Sequence, residues 1–136
     1  MERKNKTDIG WYTGEVTVLA KIETYRDLEI WQKGMGIVKD VYGLVDTFPK
    51  EEIYGLSNQM KRSAISIPSN AAEGFRRQHN KEFKQFLYIV LGSCAELETQ
   101  ITIARELKYI AVQKEMYILE KLDHLCRMTS NLIKKL

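Results

Sequence analysis

The chain has 136 residues, of which 44% are apolar or aromatic and 29% charged, with a formal net charge of +3. That length and balance fit one globular domain around a single core, and they exclude a disordered tail, a collagen-like chain or a disulfide-stapled miniprotein. The mild positive excess excludes arguing function from net charge alone, because strong nucleic-acid binders commonly carry more.

Turn signals are sparse, with two prolines and eight glycines. A few long elements are therefore expected, and long elements are helices. Residues 1–24 differ from the rest. The first eight are polar and lack the apolar stretch of a secretory signal. Gly10 and Gly14 then flank Trp11-Tyr12-Thr13, and residues 16–22 are rich in β-branched side chains. A single strand has no partner, so this N-terminal arm is expected to be disordered, or extended and packed on the bundle or on a neighbour.

The first helix is expected over residues 27–48, where Leu28, Trp31, Met35, Val38, Tyr42 and Val45 recur at spacings of 3 and 4. Ile30, Ile37, Val41, Leu44 and Phe48 widen that face. Thr24 or Asp27 can cap it, and Pro49 stops it. The second helix is expected over residues 52–77, with Ile53, Leu56, Met60, Ala64, Ile67, Ala71 and Phe75 inward. Gly55 can divide its first turn from a main helix capped by Ser57. Pro68, inside the pattern, removes a backbone bond to the carbonyl of Ala64 and predicts a kink. Around it, Ala71, Ala72 and Gly74 allow a neighbouring backbone to approach, inside the chain or across a subunit contact.

The third helix, residues 81–107, carries the clearest pattern: Phe83, Leu87, Val90, Cys94, Leu97, Ile101 and Ala104 form a heptad seam. Phe86, Leu91 and Leu107 broaden it, and Asn80 suits its N-cap. The fourth helix, residues 113–136, has one row of Ile118, Leu122, Leu125, Leu132 and Leu136 and a second of Leu119, Cys126 and Ile133. The fold class is therefore all-α: an antiparallel up-down four-helix bundle over residues 25–136, with a proline-kinked second helix.

No site chemistry emerges. Neither His79 nor His124 has a Glu three residues before it, as a di-metal bundle motif requires. No phosphate loop or nucleophile elbow occurs. Cys94 and Cys126 lie within helical apolar patterns, as small buried hydrophobes do. No catalytic residue, metal ligand or cofactor is expected. No apolar run reaches the ~18 residues of a membrane span, so a cytoplasmic protein without membrane contact is expected.

The basic residues carry more information. Arg76-Arg77-Gln78-His79-Asn80-Lys81-Glu82-Phe83-Lys84 sets four permanent cations and one acid at the hinge between helices two and three. Lys61 and Arg62 precede Pro68, and Arg62, Ser69 and Arg76 share a seven-residue spacing. Such side chains meet phosphate, with energy drawn largely from counterion release. The plain alternative is a solvated hinge in which Glu73 pairs with Arg76 or Arg77. Helix one, by contrast, is acidic, with Asp27, Glu29, Asp40 and Asp46 against Lys33 and Lys39.

Several segments together are familiar: residues 25–33 (YRDLEIWQK), 48–52 (FPKEE), 54–56 (YGL), 66–70 (SIPSN), 72–74 (AEG), 81–83 (KEF), 91–93 (LGS) and 95–100 (AELETQ). Over roughly residues 25–110 the chain resembles the bacterial four-helix-bundle proteins, also called 23S rRNA intervening-sequence proteins, whose relatives include accessory proteins of diversity-generating retroelements. The resemblance implies a four-helix bundle assembled into a five-membered ring, and a basic surface toward RNA or DNA. Carried onto this sequence, that surface comprises Lys61, Arg62, Arg76, Arg77, Lys81 and Lys84. It brings no catalytic residue. Lys108 stands where the family often has glycine, so a less sharp end to helix three is expected, and Ala71 replaces a larger aliphatic. The functional expectation is a homo-oligomeric scaffold that touches nucleic acid. A protein–protein adaptor is the alternative, suggested by the polarised charges and by aromatics beyond core need such as Trp11, Tyr12 and Tyr54.

Overall fold

A computed structural model describes residues 22–136. Among these residues all regular structure is helical: α1 Glu29–Val45, α2 Leu56–Arg76, α3 Asn80–Glu106 and α4 Val112–Lys134, with short 3-10 turns at Tyr25–Asp27 and Lys50–Glu52. The helices close around one core, α1 against α2, α2 against α3, α3 against α4 and α4 back against α1. The arm expected over residues 1–24 lies, up to residue 21, outside the described residues.

α1 forms where it was expected, but its capping and two of its expected inward positions differ. Thr24 and Asp27 cap the 3-10 turn rather than the helix: Arg26 N donates to Thr24 Oγ1 at 3.2 Å and Thr24 N to Asp27 Oδ2 at 3.0 Å. The helix itself starts after Leu28 without a side-chain cap. Ile30, Gly34, Ile37, Val41, Leu44 and Val45 are buried. Met35 and Tyr42, expected inward, remain 37% and 42% exposed. Two adjacent apolar rows run along α1, and α2 and α4 cover only one of them fully.

Gly55 does divide the second helix, and Ile53 is exposed in the linker before it. The cap is not Ser57, which is buried, but Glu52, whose Oε1 accepts Leu56 N at 3.0 Å. α2 continues through Pro68. Asn70 Nδ2 donates to both the carbonyl and the hydroxyl of Ser66 at 2.8 Å. Small residues set the spacing of the helices. Gly34 faces Ile67 and Pro68 across α1–α2, and Gly74 faces Phe86 across α2–α3, so the close approach occurs within the chain.

The heptad seam of α3 is the core: Phe83, Leu87, Val90, Cys94, Leu97, Ile101 and Ala104 are all fully buried. One 18-residue window of this helix has a mean hydropathy of 1.2, as apolar as some membrane spans, and 39% of it is buried inside the bundle. Leu107, expected to broaden the seam, is 51% exposed at the helix end. The end turns sharply despite its lysine, because Lys108 takes a left-handed φ of 65°. Tyr109 N then reaches back to Ala104 O at 2.8 Å, closing the helix as a glycine would.

In α4, Ile118, Leu122, Leu125, Thr129 and Ile133 are buried, while Leu132 and Leu136 of the expected first row are half-buried. Thr129 is tolerated in the core because its hydroxyl donates to Leu125 O at 2.8 Å. Buried Glu115 is likewise matched, accepting from Arg105 Nε at 2.9 Å. That pairing holds the guanidinium above its ordinary pKa.

Candidate nucleic-acid interface

The hinge follows from local backbone chemistry. Arg77 ends α2 in helical geometry, Gln78 takes a left-handed φ of 67°, and His79 is extended at φ −127°. Three residues thus turn the chain from α2 into α3. Asn80, expected as the N-cap, is instead the first helical residue, and its Oδ1 is buried without a hydrogen-bond partner.

Four of the six candidate cations gather at this hinge, in two states. Arg77 is engaged: Nη2 lies 3.1 Å from Glu73 Oε2, Nη1 3.8 Å from Glu82 Oε1, and its guanidinium 5.2 Å from the Phe86 ring centre. It ties α2 to α3, and the Glu73 contact is the helical pair that a solvated hinge would form. Arg76, Lys81 and Lys84 carry no ion pair among the described residues. Arg76 leans over the Tyr25 ring at 5.6 Å.

Arg26 approaches the same ring at 5.4 Å and the Trp31 ring at 5.2 Å. It thereby joins the cationic end of the molecule, which sequence reasoning missed. In sequence Arg26 is followed by Asp27 and Glu29, and only the 3-10 turn carries it back toward α2. The aromatic faces favour cations without neutralising them.

Lys61 and Arg62 do not join the hinge. Fourteen residues of helix separate Arg62 from Arg76, about 21 Å at 1.5 Å per residue. The two also diverge. Lys61 Nζ sits 4.8 Å over the Tyr42 ring, toward α1. Arg62 lines a groove between α2 and α3 with Gln59, Ser63, Ser66, Glu96 and Gln100.

A second basic region was not foreseen. Lys33, Lys121, His124 and Arg127, with Glu120, surround a cavity of about 380 Å³ between α1 and α4. Its charges are largely matched: Lys121 Nζ is 2.8 Å from Asp40 Oδ2, and Arg127 Nη2 is 3.2 Å from Asp123 Oδ2. The hinge therefore offers the greater density of unmatched cations. Among the described residues no cluster of three or more His, Cys, Asp or Glu could hold a metal ion. Cys94 and Cys126 are both free thiols.

A family model described as 23S rRNA-intervening sequence protein matches residues 26–131. No curated protein matches the chain. Among solved structures the chain is similar to a protein of unknown function from the S23 ribosomal protein family of Bacteroides thetaiotaomicron VPI-5482, with a TM-score of 0.72 and 21% identity. The match covers 77% of this chain and 98% of that one. At that identity the likeness speaks for the fold.

Proposed function

Because the chain belongs to the 23S rRNA-intervening sequence protein family, we propose that it is a non-enzymatic oligomeric scaffold that associates with RNA or DNA through its basic hinge. One observation carries this reading: among the described residues Arg76, Lys81 and Lys84 at the hinge have no ion-paired acid, beside an Arg77 that braces the two helices. Unmatched cations on a rigid turn can release counterions from phosphate without first breaking an internal bond. Assembly into a ring, as the resemblance implies, would present the hinge several times and multiply weak contacts into useful avidity.

A protein–protein adaptor is the second reading. It is favoured by an open groove between α1 and α2, lined by Tyr25, Trp31, Met35, Val38, Ile65 and Pro68 and mostly apolar.

Binding to structured RNA, single-stranded RNA and duplex DNA at two salt concentrations, with mass from light scattering, separates the two. The scaffold reading expects a multimer whose affinity falls steeply with salt. It also expects a shallower salt slope in Arg76→Ala/Lys81→Ala/Lys84→Ala, by roughly 0.7–0.9 for each phosphate that the variant no longer neutralises. A multimer that binds none of the three nucleic acids would sink that reading and favour the adaptor.

A further inference from the structure

One apolar row of α1 lacks a full cover. Trp31, Met35, Val38 and Tyr42 recur at spacings of 4, 3 and 4 and so form a single stripe. Met35 and Tyr42 are 37% and 42% exposed, and Ile65 on α2 is 41% exposed. Between the two helices lies an open groove of about 340 Å³. Trp31, Met35 and Val38 line it from α1, and Ile65, Pro68 and Ala72 from α2; only Ser69 interrupts the apolar lining. Tyr25 closes one end, its ring 5.4 Å from that of Trp31 and 5.6 Å from the Arg76 guanidinium. Apolar surface of this kind gains by being covered.

The described chain begins at this groove. Ile22 is half-buried and packs against the core, three residues before Tyr25. The 21 residues that precede Ile22 therefore enter the fold beside the groove's closed end. Those nearest to it read Val16-Thr17-Val18-Leu19-Ala20-Lys21. An extended segment alternates its side chains between two faces. With Ile22 facing inward, that alternation puts Ala20, Val18 and Val16 on the inward side and Thr17, Leu19 and Lys21 on the other. Short and β-branched side chains suit an extended chain on a half-buried surface. Six steps of about 3.3 Å reach roughly 20 Å from Ile22. Trp31 to Val38 is seven helical steps, about 10.5 Å, so the segment is long enough to fill the groove. An open groove also leaves the outer backbone groups of that segment in water, where they need no partner.

Tethering decides between this segment and a separate protein. A segment joined to the groove by a few residues meets it at an effective concentration on the millimolar scale, which a free partner must match. We infer that residues 16–20 of the chain itself lie in the α1–α2 groove, with Val16, Val18 and Ala20 against Met35, Val38 and Ile65. The inference is independent of the nucleic-acid reading. It bears on the adaptor reading, because a partner for this groove would first have to displace the arm.

The test uses the full chain in two ways. In Val18→Cys/Met35→Cys, oxidised glutathione should form a disulfide within one chain, seen on a non-reducing gel and assigned by peptide mass. It should form at least about tenfold faster than in Val18→Cys/Ile103→Cys, whose second thiol is exposed at the far end of α3, as a local encounter outruns a free one. Val18→Cys alone controls for the native thiols. Separately, Trp11→Phe leaves Trp31 as the single tryptophan. In that background Val16→Asp/Val18→Asp should move the Trp31 emission to longer wavelength and lower the melting temperature by about 3–8 °C, while Thr17→Asp should change neither. A disulfide between two chains overturns the assignment and gives the groove to a neighbour's arm. Equal rates for the two cysteine pairs, or an unmoved Trp31 emission in Val16→Asp/Val18→Asp, overturn it and leave the groove to a separate protein.

Discussion

Gly74 and Phe86 meet across the α2–α3 contact with no room for a side chain between them: a Cβ at residue 74 would lie 2.6 Å from Phe86 Cβ and 3.0 Å from Phe83 Cδ1. The close approach that brings Arg77 within reach of Glu82 therefore depends on a hydrogen atom at position 74. Gly74→Ala should destabilise the fold by about 1–3 kcal/mol through overpacking, less whatever helix propensity returns. Gly36→Ala should do the opposite. Nothing lies within 4 Å of the Cβ it would add, so a gain of about 0.5–1 kcal/mol is expected. Urea midpoints of the two variants should fall on opposite sides of the parent.

Lys108 and Gln78 occupy left-handed backbone at φ 65° and 67°. That conformation costs a side-chain-bearing residue roughly 1 kcal/mol or more, and glycine avoids it. Lys108→Gly and Gln78→Gly should each raise the urea midpoint by an increment of that order. Gln78→Gly should leave RNA binding unchanged, because no hinge cation is touched.

Glu52 links the linker before α2 to the loop after α3. Its carboxyl is held below the usual carboxylate range, first by the Leu56 backbone N–H and then by the Tyr109 hydroxyl, which donates to Oε2 at 2.8 Å. A carboxylate whose pKa is lowered by folding contributes stability above its ordinary value and loses it as pH falls through the folded value. The melting temperature should therefore fall in acid, and Glu52→Gln should fall less. Asp27, lowered first by the Thr24 and then by the Glu23 backbone N–H, should leave a residual acid dependence in that variant.

Replacing Arg76, Lys81 and Lys84 together by alanine should alter stability by no more than about 1 kcal/mol, because exposed charges and cation–π contacts contribute little each. Circular dichroism melts should overlay closely. A loss of nucleic-acid binding in that variant then reports on the interface rather than on the fold.

The helices were legible where one apolar row met one partner. The 83–104 seam of α3 is such a row, and every member is buried. On α1 two rows compete, and nothing local to Met35 or Tyr42 says that α2 stops short of them. Polar interior positions were harder. Thr129 is buried because it can bond its own helix, and Gln100 reads as surface beside Thr99 until α2 covers it. One signal was present: Gln100 follows Phe86 and Ser93 at seven-residue spacing, the row that faces α2. The cations were legible as a hinge cluster, but the divergence of Lys61 from Arg62 depends on adjacent residues pointing toward different helices.

One polar contact in the α2–α3 seam governs alignment rather than affinity. Ser66 Oγ and Ser93 Oγ lie 2.7 Å apart, with Asn70 bonded to the same Ser66. Leu87, Cys94 and Ile101 repeat every seven residues, so the greasy surface of α3 looks much the same after a slide of one heptad, about 10.5 Å. The hydroxyl pair does not. A slide would strand Ser93, only 4% exposed, without its partner, at about 1–3 kcal/mol for a buried group left unpaired. The two serines thus act as a registration mark that lets an otherwise repetitive helix settle in one position.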